Sequence, residues 1–430
     1  MVSWPYFLYN VLACLAAPPV LLAAAAGGRL RGHWRERLGW VSPVDQPGSP
    51  RVWLHAVSVG EVQVAAAVAS ALKAAAPQAV VFVTTTTGAG RQAALEQLPE
   101  DVPVRAYPLD VYGAPGRAID RLKPDLIVIL ETELWPNFLR SAKRRGIKIM
   151  LANGRISIRS VKGYSRLRFL FREVLQYFDL MAMIRPEDRD RIVSLGADPE
   201  KTLVAGNAKY DLLLERADWS HAAALRQELG IEPGRPVIVA GSTREGEEPL
   251  VLEAFGRLRT EFPDAHLILA PRHVNRVDEI ETLLKSRALR AARRSRGHGG
   301  PAPEVTLVDV MGELFYLYGL ASVAFCGGSL VPLGGQNPLE PAVWGKPVLF
   351  GPSMEDFLDA RDLLEKAGAA RTVTSSSDLF HRLRKWLQEP EAAARIGALG
   401  RDALAGHKGA AGRIAALALK LLPMDKNRHS

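Results

Sequence analysis

VWLHAVSVGE, residues 52–61, runs as an unbroken apolar strand-like segment, then breaks at Ser58-Val59-Gly60 and places an ionisable Glu61 where an Ala-rich helical run begins. A strand that feeds a helix through a turn of small residues is the repeating unit of a parallel α/β sheet. In such sheets the turn at the strand's carboxyl end is where bound groups meet helix N-termini and where catalytic side chains reach a crevice. Two readings of Glu61 are open on this stretch. It is a carboxylate favoured by the positive end of the helix dipole, or a chemical group aimed at a ligand.

Outward from this unit the pattern repeats. VVFVTTTT, VRAYPL, LIVIL, KIMLA and LMAMI follow as β-rich runs separated by helix-length segments, up to about residue 207. Strands without polar alternation belong to a parallel sheet covered on both faces. The series restarts with PVIVAGS, HLILAPR, VTLVDV, SVAFCGG and PVLFGP. The expected fold class is therefore α/β, two doubly wound Rossmann-like domains with ligand in the crevice between them. The boundaries expected are a membrane anchor over 1–28, one domain over 29–207, a connection over 208–235 and a second domain over 236–430. The last Ala-rich stretch, from Pro390, is a candidate to cross back to the first domain. RAARRSRGHGGPAPE, 290–304, reads as a loop from its Arg, Gly and Pro content.

The formal net charge of +9 points to anionic partners: phosphates, acidic lipid or nucleic acid. Two cysteines in apolar runs suit a reducing compartment, and the histidines and cysteines lack metal-ligand spacing, so no metal site is expected. Residues 6–26 carry no charge and are followed by Arg29, Arg31, Arg35 and Arg37. That is the length of a membrane-spanning helix with its positive flank on the C-terminal side, which puts the rest of the chain in the cytoplasm. Pro18-Pro19 leaves an interfacial anchor as the alternative. From Arg140 to Arg172 the chain carries Lys and Arg without a single Asp or Glu, interleaved with Tyr164, Phe169 and Phe171. This composition suits a membrane surface and a phosphorylated, acylated partner, and with the anchor it argues against nucleic acid.

Further motifs sit at strand ends. GSTREGEE, 241–248, offers backbone N–H groups near Ser242 and Thr243 to a phosphate. APRHVNR presents Arg272 and His273, and Arg is a forked, permanently charged phosphate ligand. In CGGSLVPLGGQNPLEP the glycines free the backbone for close approach, while Asn337 and Glu340 can hydrogen-bond hydroxyls or a base. TTTTGAGR, ILETELWPN with Glu131 and Glu133, and NGRIS with Asn153, Arg155 and Ser157 end strands of the first domain.

In this order behind an N-terminal anchor, HAVSVGEV, TTTTGAGR, ETELWPN, NGRIS, GNAKYD, GSTREGEE, APRHVNR and GGSLVPLGGQNPLEP resemble the bacterial 3-deoxy-D-manno-octulosonic acid (Kdo) transferases over nearly the whole chain. The resemblance implies a GT-B glycosyltransferase that moves Kdo from CMP-Kdo to a lipid A precursor at the cytoplasmic face of a bacterial inner membrane, inverting the anomeric centre without a metal or other cofactor. It implies Glu61 as the catalytic base, with Ser58, Gly60, Glu131 and Arg155 around the acceptor. Donor contacts would come from Ser242, Thr243, Arg272, His273, the Gly327-Gly328-Ser329 turn, Asn337, Glu340 and Lys209, the last pairing with the sugar's carboxylate. Arg244 departs from the pattern, which has a smaller or neutral side chain there. The alternatives are a membrane-associated GT-B enzyme using a UDP-sugar, and a lipid- or nucleotide-binding protein without catalysis.

Overall fold

The computed structural model describes residues 4, 6–11, 33–156, 158–297 and 303–422. Two units divide the chain: one reaches Leu212 and resumes at His407, and the other is Leu213–Gly406. The first holds β1 (Arg51–Ala56), β2 (Val80–Thr85), β3 (Val104–Ala106), β4 (Leu126–Leu130), β5 (Lys148–Gly154), β6 (Leu180–Met183) and β7 (Thr202–Val204). The second holds β8 (Val237–Thr243), β9 (His266–Pro271), β10 (Ala291–Arg293), β11 (Val305–Leu307), β12 (Val323–Cys326), β13 (Val348–Phe350) and β14 (Ala370–Thr372).

The sheet orders are β3-β2-β1-β4-β5-β6-β7 and β10-β11-β9-β8-β12-β13-β14, with every pairing parallel. Strand order reverses between β1 and β4 and again between β8 and β12. In a doubly wound sheet that reversal opens a crevice beyond the strands' carboxyl ends, because the crossover helices leave to opposite faces there. Each unit is thus Rossmann-like.

Alternation along β1 sets the two faces of the first sheet. Val52, Leu54 and Ala56 pack with Val62, Ala65 and Val68 of the helix Val59–Ala75 and with Ile414 and Ala418 of the helix Ala410–Lys420. Trp53 faces the other way, edge-on to Phe138 at 5.0 Å between ring centroids, with its Nε1 donating to Thr84 Oγ1 at 2.7 Å. The helix Ala410–Lys420 is held at its start by the buried Asp211, which accepts the N–H groups of Gly409 at 2.6 Å and Ala411 at 2.8 Å.

One expectation, the loop over 290–304, is corrected by the structure. Part of the 290–304 loop is β10, an edge strand of three residues whose partner Val305–Leu307 sets its register, so its own composition carries little strand signal. β7 and β14 are edge strands of the same length. The 208–235 connection contains the helices Ala208–Arg216 and Trp219–Glu228. The positive run is partly neutralised from outside it: Lys143 and Lys148 pair with Asp179 at 3.1 and 3.3 Å, and Arg145 pairs with Asp120 at 2.7 Å. Residues 6–11 are helical. Most of the expected anchor, 12–28, lies outside the described residues, and among the described residues no helix is long and apolar enough to cross a membrane.

Candidate active site

At the β1 turn, Glu61 lies in the first turn of the helix Val59–Ala75 and is 7% exposed. Its Oε2 accepts the Val57 N–H at 2.8 Å and its Oε1 accepts the Ser58 hydroxyl at 3.0 Å. The carboxylate therefore braces the turn that carries it. Burial pushes its pKa up, and the negative Glu131 adds to this; the Val57 N–H, the Ser58 hydroxyl and the positive Lys209 oppose it. Thr87 ties the TTTTGAGR loop to the same turn, its hydroxyl donating to the Val57 carbonyl at 2.9 Å and accepting the Gly90 N–H at 3.0 Å.

β4 and β5 deliver the neighbours. Glu131 follows β4 with a left-handed backbone, φ +56°, and Asn153 in β5 has φ +53°. Such conformations are costly for residues with a β-carbon and persist where surrounding structure enforces them. Here Glu131 donates its N–H to the Ala152 carbonyl at 3.0 Å, and Asn153 Oδ1 accepts the N–H of Ala208 at 2.9 Å. The latter fixes the start of the helix bearing Lys209, whose Nζ meets Glu131 Oε1 at 2.7 Å. A β-carbon built on Gly60 would stand 3.4 Å from that Nζ, so the lysine lies against the Gly60-Glu61 turn. Lys209, expected beside a donor sugar, thus belongs to the Glu61 group.

Glu133 adds a third carboxyl. Its Oε2 accepts the Trp135 Nε1–H at 2.9 Å. Burial, then the nearby negative Glu61 and Glu131, push its pKa up to about 7 against that hydrogen bond. The Arg155 side chain is exposed, and its carbonyl accepts the Thr132 hydroxyl. Ser157 lies outside the described residues.

In the second unit a pocket of about 360 Å³ opens beyond the β8, β9 and β11 ends, within the usual range for a small-molecule site. Of the expected donor residues it is lined by Ser242, Arg272, Asn337 and Glu340. Arg216, Phe315 and the loop through Met311 complete the wall and were not read from the sequence; no local motif marks them. Burial pushes the Glu340 pKa up, while Arg216, then Arg272, and a hydrogen bond from Asn337 oppose it. The Arg216 guanidinium sits 4.2 Å from the Phe315 ring centroid. Ser242 has φ +55°, another strained residue at a strand end.

The remaining expected donor residues are placed differently. His273 Nε2 meets Arg244 Nη1 at 2.6 Å and is outside the pocket lining. Thr243 is 1% exposed. The Gly327-Gly328-Ser329 turn directs its amides to acceptors within the protein. The Gly327 N–H goes to the Gly241 carbonyl at 2.8 Å, and those of Gly328 and Ser329 go to Glu247 at 2.6 and 2.9 Å. Ser329 is fully buried, its hydroxyl donating to the Cys326 carbonyl at 2.5 Å and accepting the Gly351 N–H at 2.8 Å.

A family model described as 3-deoxy-D-manno-octulosonic-acid transferase (kdotransferase) matches residues 32–212, the stretch that holds Glu61, Glu131 and Lys209. The 3-deoxy-D-manno-octulosonic acid transferase of Haemophilus influenzae is 31% identical over 422 residues, 96% of this chain and 97% of that one. The solved C-terminal CMP-Kdo binding domain of WaaA from Acinetobacter baumannii is 33% identical, covering 43% of this chain and 97% of that one with a TM-score of 0.40. The UDP-GlcNAc 2-epimerase of Neisseria meningitidis, solved with UDP-GlcNAc, covers 86% of this chain and 100% of its own at 16% identity and a TM-score of 0.61, a likeness of fold.

Proposed function

The chain belongs to the Kdo transferase family, glycosyltransferases of lipopolysaccharide biosynthesis, and from that premise we propose an inverting GT-B reaction between CMP-Kdo and a phosphorylated lipid A precursor. The observation that carries the proposal is the buried Glu61 carboxylate at the β1/β4 reversal, with Lys209 and Glu131 beside it. An acceptor hydroxyl attacks the anomeric carbon of Kdo while the bond from that carbon to the phosphate oxygen breaks. The hydroxyl proton passes to Glu61, and the electron pair of the broken bond leaves with CMP. A carboxylate whose basicity is raised by burial suits the first transfer. Arg272 and Ser242 supply positive charge and a hydroxyl where the departing phosphate gains charge. Glu340, an acceptor among cations, suits the ribose hydroxyls.

The test is transfer itself. Protein in detergent, given a phosphorylated lipid A precursor and CMP-Kdo, should yield product heavier by one or more Kdo residues in mass spectrometry, with CMP inhibiting and UDP not. A folded protein that yields no such product beside a working control would remove the proposal.

We also propose that the enzyme works at the cytoplasmic face of the inner membrane. The support is an apolar surface on the first unit: Trp4, Phe7, Leu8 and Val11 are exposed, and Trp4 stacks on the exposed Phe169 at 5.0 Å. Tyr9 anchors this segment by donating its hydroxyl to Asp110 at 2.7 Å, and the Arg140 guanidinium stacks 4.0 Å from the Tyr6 ring centroid. Apolar rings flanked by arginines suit an anionic lipid interface. The double variant W4E/F7E should co-sediment with anionic vesicles at least about tenfold less than the parent, by the transfer cost of its lost apolar surface. Equal sedimentation would count against this face.

A further inference from the structure

Glu247, the first acid of the GEE triplet, makes no contact with the pocket described above, yet it is 0% exposed and stands at the N-terminal end of the helix Glu248–Leu258. Four backbone N–H groups converge on its carboxylate. Oε2 accepts those of Arg244 at 2.9 Å and Gly328 at 2.6 Å; Oε1 accepts those of Ser329 at 2.9 Å and Leu330 at 2.8 Å. Three come from the glycine-rich turn after β12 and one from the turn after β8. Converging backbone amides in a glycine-rich turn form the kind of nest that holds a phosphate in many α/β proteins. Here the nest is filled from inside by the protein's own carboxylate.

The same two turns touch directly. A β-carbon built on Gly327 would lie 2.5 Å from Thr243 Cα and 2.6 Å from the Ser242 carbonyl oxygen, so only glycine permits the approach. The Thr243 carbonyl in turn accepts the Arg272 N–H at 3.0 Å. Ser242 and Arg272, which line the pocket, therefore hang on a framework that the Glu247 carboxylate closes.

We propose that Glu247 is a positioning residue for the donor: its carboxylate occupies the amide nest of the glycine-rich turn as an internal anion, and so fixes Ser242 and Arg272 for the donor phosphate. The turn shapes the pocket without binding the phosphate through those amides. This rests on reading the pocket as the CMP site. Glutamine cannot replace the carboxylate, because each oxygen accepts two N–H groups and either orientation of an amide would set its NH₂ against two donors.

The experiment compares the full-length parent with Glu247→Gln. Calorimetry with CMP should show an affinity about ten- to a hundredfold lower in the variant, the cost of leaving buried donors opposed. In the transfer assay KM for CMP-Kdo should rise while KM for the lipid acceptor stays put. A role in stability alone would lower the active fraction and move neither KM. A folded variant whose CMP affinity is within twofold of the parent overturns the proposal.

Amide hydrogen exchange on the parent supplies a reading that needs no variant. Peptides covering 327–332 should be protected before CMP is added and gain nothing on its addition. Fast exchange that CMP suppresses would overturn the internal-anion assignment, since the amides would then be waiting for the donor. A parent that fails to bind CMP at all removes the donor reading, while the exchange result still decides whether Glu247 holds the turn.

Discussion

Transfer falls by about a hundredfold to ten-thousandfold when Glu61 is replaced by glutamine, and CMP affinity stays at the parent's value. Glutamine keeps the side chain's length and one oxygen for the Val57 N–H or the Ser58 hydroxyl, which the carboxylate now accepts at 2.8 and 3.0 Å. What it loses is the capacity to take a proton. The residues proposed for CMP lie in the second unit, so a loss confined to turnover identifies Glu61 with the chemical step. Because the same carboxylate braces the turn, thermal melting of the variant belongs in the measurement. A folded variant that turns over at the parent's rate sinks the base assignment.

Lys209→Met carries the second large effect. It removes the cation from a group holding Glu61, Glu131 and Glu133, and leaves Glu131 without its partner at 2.7 Å. Lys209 lowers the Glu61 pKa and Glu131 raises it, so the substitution drives that pKa higher than burial already has. A base works only when deprotonated, and rate therefore rises with pH through its pKa. The acid limb of the kcat/KM profile should move to higher pH, with activity lost on the acid side of that limb, where the base is protonated. Activity should return in part as pH is raised. Glu61→Gln has no such recovery, because no proton acceptor remains. An acid limb at the parent's position would show that Lys209 serves something other than the charge balance around Glu61.

The parallel-sheet class and the Glu61 turn were legible because both are local: an apolar strand, three small residues, an acid and an Ala-rich helix. The edge strands β7, β10 and β14 were not: each is three residues long, and AAR and ART lack the β-rich apolar run that marks the equally short edge strand β3 in VRAYPL. Ser329 shows the limit for site residues. A serine after two glycines reads as a phosphate contact, but its hydroxyl and amide are taken by Cys326, Gly351 and Glu247, partners 3, 22 and 82 positions away. Arg216 escaped for the converse reason, as it reaches the pocket from the last position of the helix Ala208–Arg216, five residues beyond the GNAKYD motif at that helix's start. Charge behaved the same way, with Asp120 and Asp179 reducing a run that looks uniformly basic in one dimension.

The helix Ala410–Lys420 has a consequence for how the polypeptide is made. Its Ala410, Ile414, Ala415 and Ala418 belong to the same apolar cluster as Val62, Val68 and Leu72. A ribosome working from the N-terminus emits Leu213–Gly406, everything the second unit needs, before it emits the last piece of the first. The unit that starts the chain is therefore the last to be complete, and the helix behind Glu61 keeps a bare face through most of translation. For this enzyme, order of synthesis and order of closure run in opposite directions.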